Sequence, residues 1–340
     1  MQVEDLVAGV AVVALMAYAI FGGADFGGGV WTALAPGSRR REVQEAISRS
    51  MGPVWETNHV WLILILVTLW TGFPSAFAAL FENLFIPLTV ALVGIVFRGA
   101  AFAFRHYGEH GDAGVHGEAG LPATDLVFSM ASIVTPFAMG IAVGAVAYGR
   151  IELEAGAADS FDAWLHPFPI LTGVISVALC AFLTPFYMLQ RPLGALRSEF
   201  RRMALTGSLA LGAVTTLAFP FAAWDAPDFF DRLVEPASLA LVGVAVLLGI
   251  ASLAVLALQV YRIAAPVAAA TVMMVIAAWG MAMHPYIIFP SLRVSEAAAS
   301  DSVLEAFLIA LPIGAIILVP SLLLLFSLFA TARPRDVEAP

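Results

Sequence analysis

Long apolar runs separated by short charged or Pro/Gly-rich stretches set the pattern of this chain. Nine runs approach the ~20 residues that a helix needs to cross a bilayer. They lie near residues 6–34, 53–80, 83–105, 123–149, 164–189, 203–224, 236–262, 265–289 and 303–330. Three are long enough to tilt or to extend beyond the hydrocarbon. The pattern predicts an all-α polytopic membrane protein with nine transmembrane helices, residues 1–340 forming one integral membrane domain. No soluble domain fits between spans, and no internal repeat or low-complexity segment stands out.

Charge then orients the expected spans, because loops on the cytoplasmic side collect Arg and Lys. Arg39, Arg40, Arg41 and Arg49 follow span 1, and Arg98 and Arg105 close span 3. Arg191, Arg197, Arg201 and Arg202 follow span 5, Arg262 follows span 7, and Arg333 and Arg335 follow span 9. That places 13 arginines on one side. The alternate loops hold Arg150, Arg232 and Arg293 among Glu152, Glu154, Asp159, Asp162, Asp225, Asp228, Asp231 and Glu235. The expectation is an N-terminus outside and a C-terminus in the cytoplasm.

Composition agrees: 61% of the 340 residues are hydrophobic and 12% are charged, against about 25% charged in soluble domains. The net charge of −9 is spread over loops and says nothing of nucleic acid, which is not an expected partner. The single cysteine, Cys180, excludes an intrachain disulfide and a cysteine-based metal cluster. All 16 basic residues are arginine. The start, "MQVEDL", is acidic and unlike a cleaved secretory signal, so span 1 reads as retained.

Against this background the ionisable residues inside spans are the candidates for chemistry. Asp25 sits in "FGGADFGGGVW" at the arginine-rich end of span 1. An ionised carboxylate within the hydrocarbon costs about 2.5–3.5 kcal/mol even on lenient scales. The flanking glycines let another helix approach closely. The motif reads either as a packing face with an aspartate at its wet edge or as a functional carboxylate. Glu56 lies in "GPVWETNHVWL", where Pro53 suits a first helical turn. There the helix dipole favours the ionised form while burial opposes it. Trp55, Glu56 and His59 share a face, with Asn58 beside them and Trp61 as an interfacial aromatic. Glu56 and His59 together could carry a proton. Arg98, in "VFRGAAFAFRHY", is deeper than Arg105, and a buried arginine needs a carboxylate partner. Asp25 and Glu56 enter the membrane from the same side and are the candidate partners.

The histidines are less informative. His284, in "AAWGMAMHPYIIFPSL", closes span 8 at the outer face, and a histidine in a span invites a haem-ligand reading. His59 and His284 are expected at opposite faces, so they cannot share one haem, though either could ligate singly. His106, His110 and His116 fall in a polar loop whose spacing matches no closed metal site; no metal is expected. Nucleotide-binding, nucleophile-elbow and zincin motifs are lacking.

Taken together, these motifs resemble subunit II of the cytochrome bd-type quinol oxidases, almost end to end. "GADFGGG" is similar to the family's GFDxGVG, "GPVWETNHVWL" to GPVWDGNxVWL and "FRGAAFAFR" to FRxxxFxxR. "PFAMGIAVG" resembles PxxxGxAxG and "HPYIIFPSL" resembles FPxxxPSS. The resemblance implies a subunit of a bacterial terminal oxidase that oxidises quinol and reduces dioxygen to water. It implies two four-helix bundles (about 6–149 and, with one peripheral helix, about 164–330) in the bacterial cytoplasmic membrane. Haems, two b-type plus d or b-type alone, would reside in a haem-bearing subunit I, and this chain alone would not be catalytic. Small single-helix subunits often accompany such pairs, and a quinone can lodge structurally in subunit II among membrane lipid. Glu56 would line a cytoplasmic proton entrance, with Asp25 and Arg98 as a charge cluster beside it. The sequence departs from the family at Glu56 (usually Asp), Thr57 (usually Gly), His59 and His284. Two other readings stand beside this one: a transporter or channel with a midplane site in its broken helices, and a subunit binding haem itself.

Overall fold

In a computed structural model, described residues are 2–34, 39–51, 55–108, 122–154, 156, 161–191 and 193–330. Of residues 40–41, 49, 51, 55–57, 105–108, 122–123 and 325–330 only the backbone is described. The helices are α1 (Val3–Leu34), α2 (Arg40–Met51), α3 (Trp55–Gly72), α4 (Pro74–Asn83), α5 (Phe85–Gly108) and α6 (Pro122–Tyr148). They continue with α7 (Pro167–Leu189), α8 (Arg197–Asp225), α9 (Pro227–Leu233), α10 (Pro236–Leu258) and α11 (Ala264–Met283). A short hairpin, β1 (Tyr286–Ile288) and β2 (Leu292–Arg293), precedes α12 (Val294–Ala297) and α13 (Asp301–Ala330). Among the described residues, eight helices are each long and apolar enough to cross a membrane, and a ninth span exists if α3 and α4 count together.

That pair corrects the expected second span. The apolar run 53–80 is not one straight helix: it bends by 120° between α3 and α4. Pro74 cannot donate to the preceding turn and restricts Phe73, which leaves the helical region and is fully buried at the bend. The expected eighth span, 265–289, is also too long. Its helix stops at Met283, and His284 adopts an extended conformation before Pro285. The seventh ends at Leu258 rather than 262, where Gln259 takes a left-handed conformation (φ 58°). The loop after span 1 contains an unexpected helix, α2. Its Val43 and Ile47, one turn apart, are buried with Phe182, Phe186 and Phe200.

Helix α1 packs on α3, α6, α7 and α11. α5 packs on α6, α7 on α8, and α10 on α11, while α13 lies against α1 and α3. The glycines of α1 allow its close approach to two neighbours. A Cβ on Gly27 would run into the Cys180 carbonyl of α7, and one on Gly29 into Ser132 of α6. Two bonds pin the same contact: Trp31 Nε1 donates to Ala181 O (2.8 Å) and Thr184 Oγ1 to Ala24 O (2.6 Å).

The connecting segments segregate to two ends. Arg39 donates to Ala195 O (3.0 Å) and Gln190 to Arg262 O (2.8 Å), gathering the loops after spans 1, 5 and 7. At the other end, Asp5 of α1 lies 3.7 Å from His284.

Candidate functional site

The arginine-rich end of α1 holds a buried ion pair. Asp25 is 3% exposed and Arg98, on α5, is 5% exposed. Nη1 of Arg98 donates to Oδ2 (2.6 Å), and Nη2 donates to Oδ1 (2.8 Å) and to the Asp25 carbonyl (3.1 Å). Nε donates to Ser132 Oγ on α6 (2.9 Å), and that hydroxyl donates to Phe128 O (2.7 Å). The guanidinium lies over the rings of Phe26 (4.8 Å) and Phe128 (4.9 Å). Two helices, α1 and α6, thus supply a paired carboxylate, a hydroxyl, a carbonyl and two aromatic faces to one cation on α5. This two-pronged, ring-flanked arrangement is one that arginine can adopt and lysine cannot.

The structure therefore brings Asp25 and Arg98 together. His59, half-buried on α3, is within electrostatic reach of both. Asn58 is 2% exposed, and its Nδ2 has no hydrogen-bond partner among the described residues. Trp61 stacks on Phe21 of α1 with centroids 6.2 Å apart. The backbone of Trp55 and Glu56 forms the first turn of α3, at the same end as Asp25, and their side chains lie outside the described residues. His110 and His116 also lie outside them, as does the side chain of His106.

A small cavity opens beside the ion pair, lined by Asp25, Thr32, Gln44, Ile47, Ser48, Phe102 and Phe128. Gln44, Ile47 and Ser48 come from α2. Gln44 Nε2 donates to Thr32 O (3.2 Å), fastening α2 to the last turn of α1. These α2 residues were not among the candidates read from sequence. The one signal for them was the apolar spacing of Val43, Ala46 and Ile47 in "REVQEAISR".

His284 is elsewhere. Its side chain is 61% exposed, and its carbonyl accepts from Arg232. Asp5, beside His284, and Asp25, near His59, are separated by 20 residues of α1, about 30 Å along a helix. The two histidines cannot serve one haem. His166, the N-cap of α7, is bound instead to Tyr148 Oη (Nδ1, 2.8 Å) and to Asp162 (Nε2, 3.2 Å). Tyr148 in turn donates to Asp225 (3.3 Å), which accepts from the Phe168 amide (2.8 Å). Arg150 donates to both Asp162 oxygens (3.1 and 3.3 Å). Partial burial opposes the Asp162 charge, but hydrogen bonds from His166 and Arg150 outweigh it and hold the carboxyl below its ordinary value. This network fastens the segment before α7 to the end of α8. It was missed because Tyr148 and Asp225 are far apart in sequence.

Comparison with known proteins adds the family. The family model for cytochrome bd terminal oxidase subunit II matches residues 3–329. The chain is 27% identical over 216 residues to a cytochrome bd ubiquinol oxidase subunit 2 of Bacillus subtilis (strain 168), covering 63% of this chain and 60% of that protein. It is 26% identical over 215 residues to the cytochrome bd-I ubiquinol oxidase subunit 2 of Escherichia coli (strain K12), covering 62% and 53%. The matched region therefore spans little more than half of these relatives. The solved structure of bd oxidase from Geobacillus thermodenitrificans superposes with a TM-score of 0.81 at 21% identity, covering 98% of this chain and 100% of that chain. At that identity the likeness concerns the fold.

Proposed function

The chain belongs to the cytochrome bd terminal oxidase subunit II family, and on that premise we propose that it is the haem-free partner of a haem-bearing subunit I. The complex would oxidise quinol and reduce dioxygen to water in the bacterial cytoplasmic membrane. In this reading the chain is arranged as two four-helix bundles plus the peripheral α13, with its arginine-rich end in the cytoplasm. Asp25 and Glu56 line a proton entrance at that end, and Arg98 pairs with Asp25 and holds it in place. Quinol, lipid and any single-helix accessory subunits meet the complex, in which this chain can also hold a structural quinone.

The observation that carries the reading is the buried Asp25–Arg98 pair beside a cavity at the arginine-rich end. An ion pair placed there is costly to desolvate, and lipid anchoring needs no such arrangement. A transporter would place its charged groups near the midplane, whereas these lie toward one end. The described histidines also do not bring two ligands to one haem. His59 and His284 lie about 30 Å apart along the bundle, and His166 is engaged by Tyr148 and Asp162.

The test is Glu56→Leu in the purified two-subunit complex. Oxygen uptake is expected to fall about tenfold or more, an added barrier of about 1.4 kcal/mol or more, with the haem spectrum unchanged. Normal turnover in that variant would remove Glu56 from the route.

A further inference from the structure

We propose that Asp25 is reached from the arginine-rich face through the cavity beneath α2, so that this short helix, and not the membrane-spanning helices alone, forms the mouth of the route. The inference rests on the proton-entrance reading above and identifies its outer end. Burial along the cavity wall gives its direction. Asp25, Thr32 and Ile47 are closed off from solvent, Gln44 and Phe128 nearly so, whereas Ser48 and Phe102 are partly exposed. The opening is therefore between Ser48 of α2 and Phe102 of α5.

Two features of α2 suit it to this place. Val43 and Ile47 are buried in a core shared with α7 and α8, which fixes the helix on the bundle rather than leaving it loose at the interface. Gln44, on the same side one turn from Ser48, bonds to the Thr32 carbonyl and holds the helix against the end of α1. The wall is mostly apolar, and Ser48, Gln44 and Asp25 bring its polar groups. Phe102 and Phe128 form the apolar side. At about 10 Å³ the cavity has room for one water, which the Ser48 hydroxyl, the Gln44 amide and the Asp25 carboxylate would hold.

The chain's own cysteine, Cys180, is buried, so an introduced thiol at the mouth can be read selectively. The experiment uses the two-subunit complex carrying Ser48→Cys, treated with the cationic reagent 2-(trimethylammonium)ethyl methanethiosulfonate. Oxygen uptake is measured on the same preparation before and after labelling, with mass spectrometry to follow the adduct. Labelling is expected to slow oxygen uptake about tenfold with the haem spectrum unchanged. The same adduct at exposed Glu42, introduced as Glu42→Cys, is expected to leave the rate as it was, as is treatment of the unsubstituted complex. The proposal is overturned if Ser48→Cys does not label, if the labelled enzyme keeps its rate, or if the Glu42→Cys adduct slows it equally. Asp25→Asn, measured in parallel, separates the two levels. Slowing there with an unaffected Ser48→Cys adduct rejects the α2 mouth and leaves the role of Asp25 standing, whereas an unaffected Asp25→Asn rejects both.

Discussion

Removing Asp25 leaves the Arg98 guanidinium buried with its Ser132 bond and two aromatic faces but without its counter-charge. Two of the four hydrogen bonds it makes go to the carboxylate oxygens, at 2.6 and 2.8 Å. Breaking a buried pair in this way typically costs about 3–5 kcal/mol, mostly as the penalty of the uncompensated charge. Asp25→Ala is therefore expected to destabilise the complex by about that amount, and Arg98→Met by a comparable amount, because it strands the carboxylate. The double variant removes both charges. It should be destabilised by clearly less than the sum, with a coupling of about 2 kcal/mol or more. The assay is reversible unfolding of the detergent-solubilised complex for wild type, both single variants and the double variant. Additive losses would refute the reasoning, because they would mean that the two groups do not depend on each other. The same four proteins carry a functional readout. If Asp25 moves protons, the double variant regains stability but not oxygen uptake; if Asp25 only neutralises Arg98, it regains both.

Two further outcomes rest on helix packing and on the Asp162 network. Gly27→Val places a side chain against the Cys180 carbonyl of α7 and should cost about 1–3 kcal/mol or more by overpacking, seen as a lowered thermal midpoint, while Gly9→Ala, where nothing lies within 4 Å, should not. Asp162 is held below its ordinary carboxylate value by His166 and Arg150, so its contribution is present above the unfolded-state value of about 3.9 and is lost as pH falls through the depressed folded value. Hydrogen-exchange protection at residues 161–166, corrected for the intrinsic pH dependence of amide exchange, should fall on acidification in the wild type, and Asp162→Asn should show low protection already at neutral pH with less further change.

The ion pair was legible in the sequence because a charge inside a span demands a partner, and charge sidedness limited the choices for Arg98 to Asp25 and Glu56. Its other supports were not legible. Ser132, Phe26 and Phe128 are ordinary residues of apolar helices, and only packing brings them to the guanidinium. Hydropathy found the spans but not their shape. The run through Phe73 and Pro74 is apolar on both sides of the bend, so composition alone reads straight across it, although the proline marks the break. Helix α2 was hidden for the opposite reason. It is short and polar, and two buried residues one turn apart tie it to the core. Glu56 remains a residue whose role rests on its motif and on its place in the first turn of α3.

A proton route through Asp25 would serve oxygen reduction in the partner subunit. The most direct measurement follows oxidation of the fully reduced complex by dioxygen, with a pH indicator in solution, comparing wild type with Asp25→Asn at equal haem content. Proton uptake is expected to slow in the variant, and the haem step coupled to it to slow by the same factor. Proton uptake at the wild-type rate, with haem oxidation unaltered, would contradict a route through Asp25.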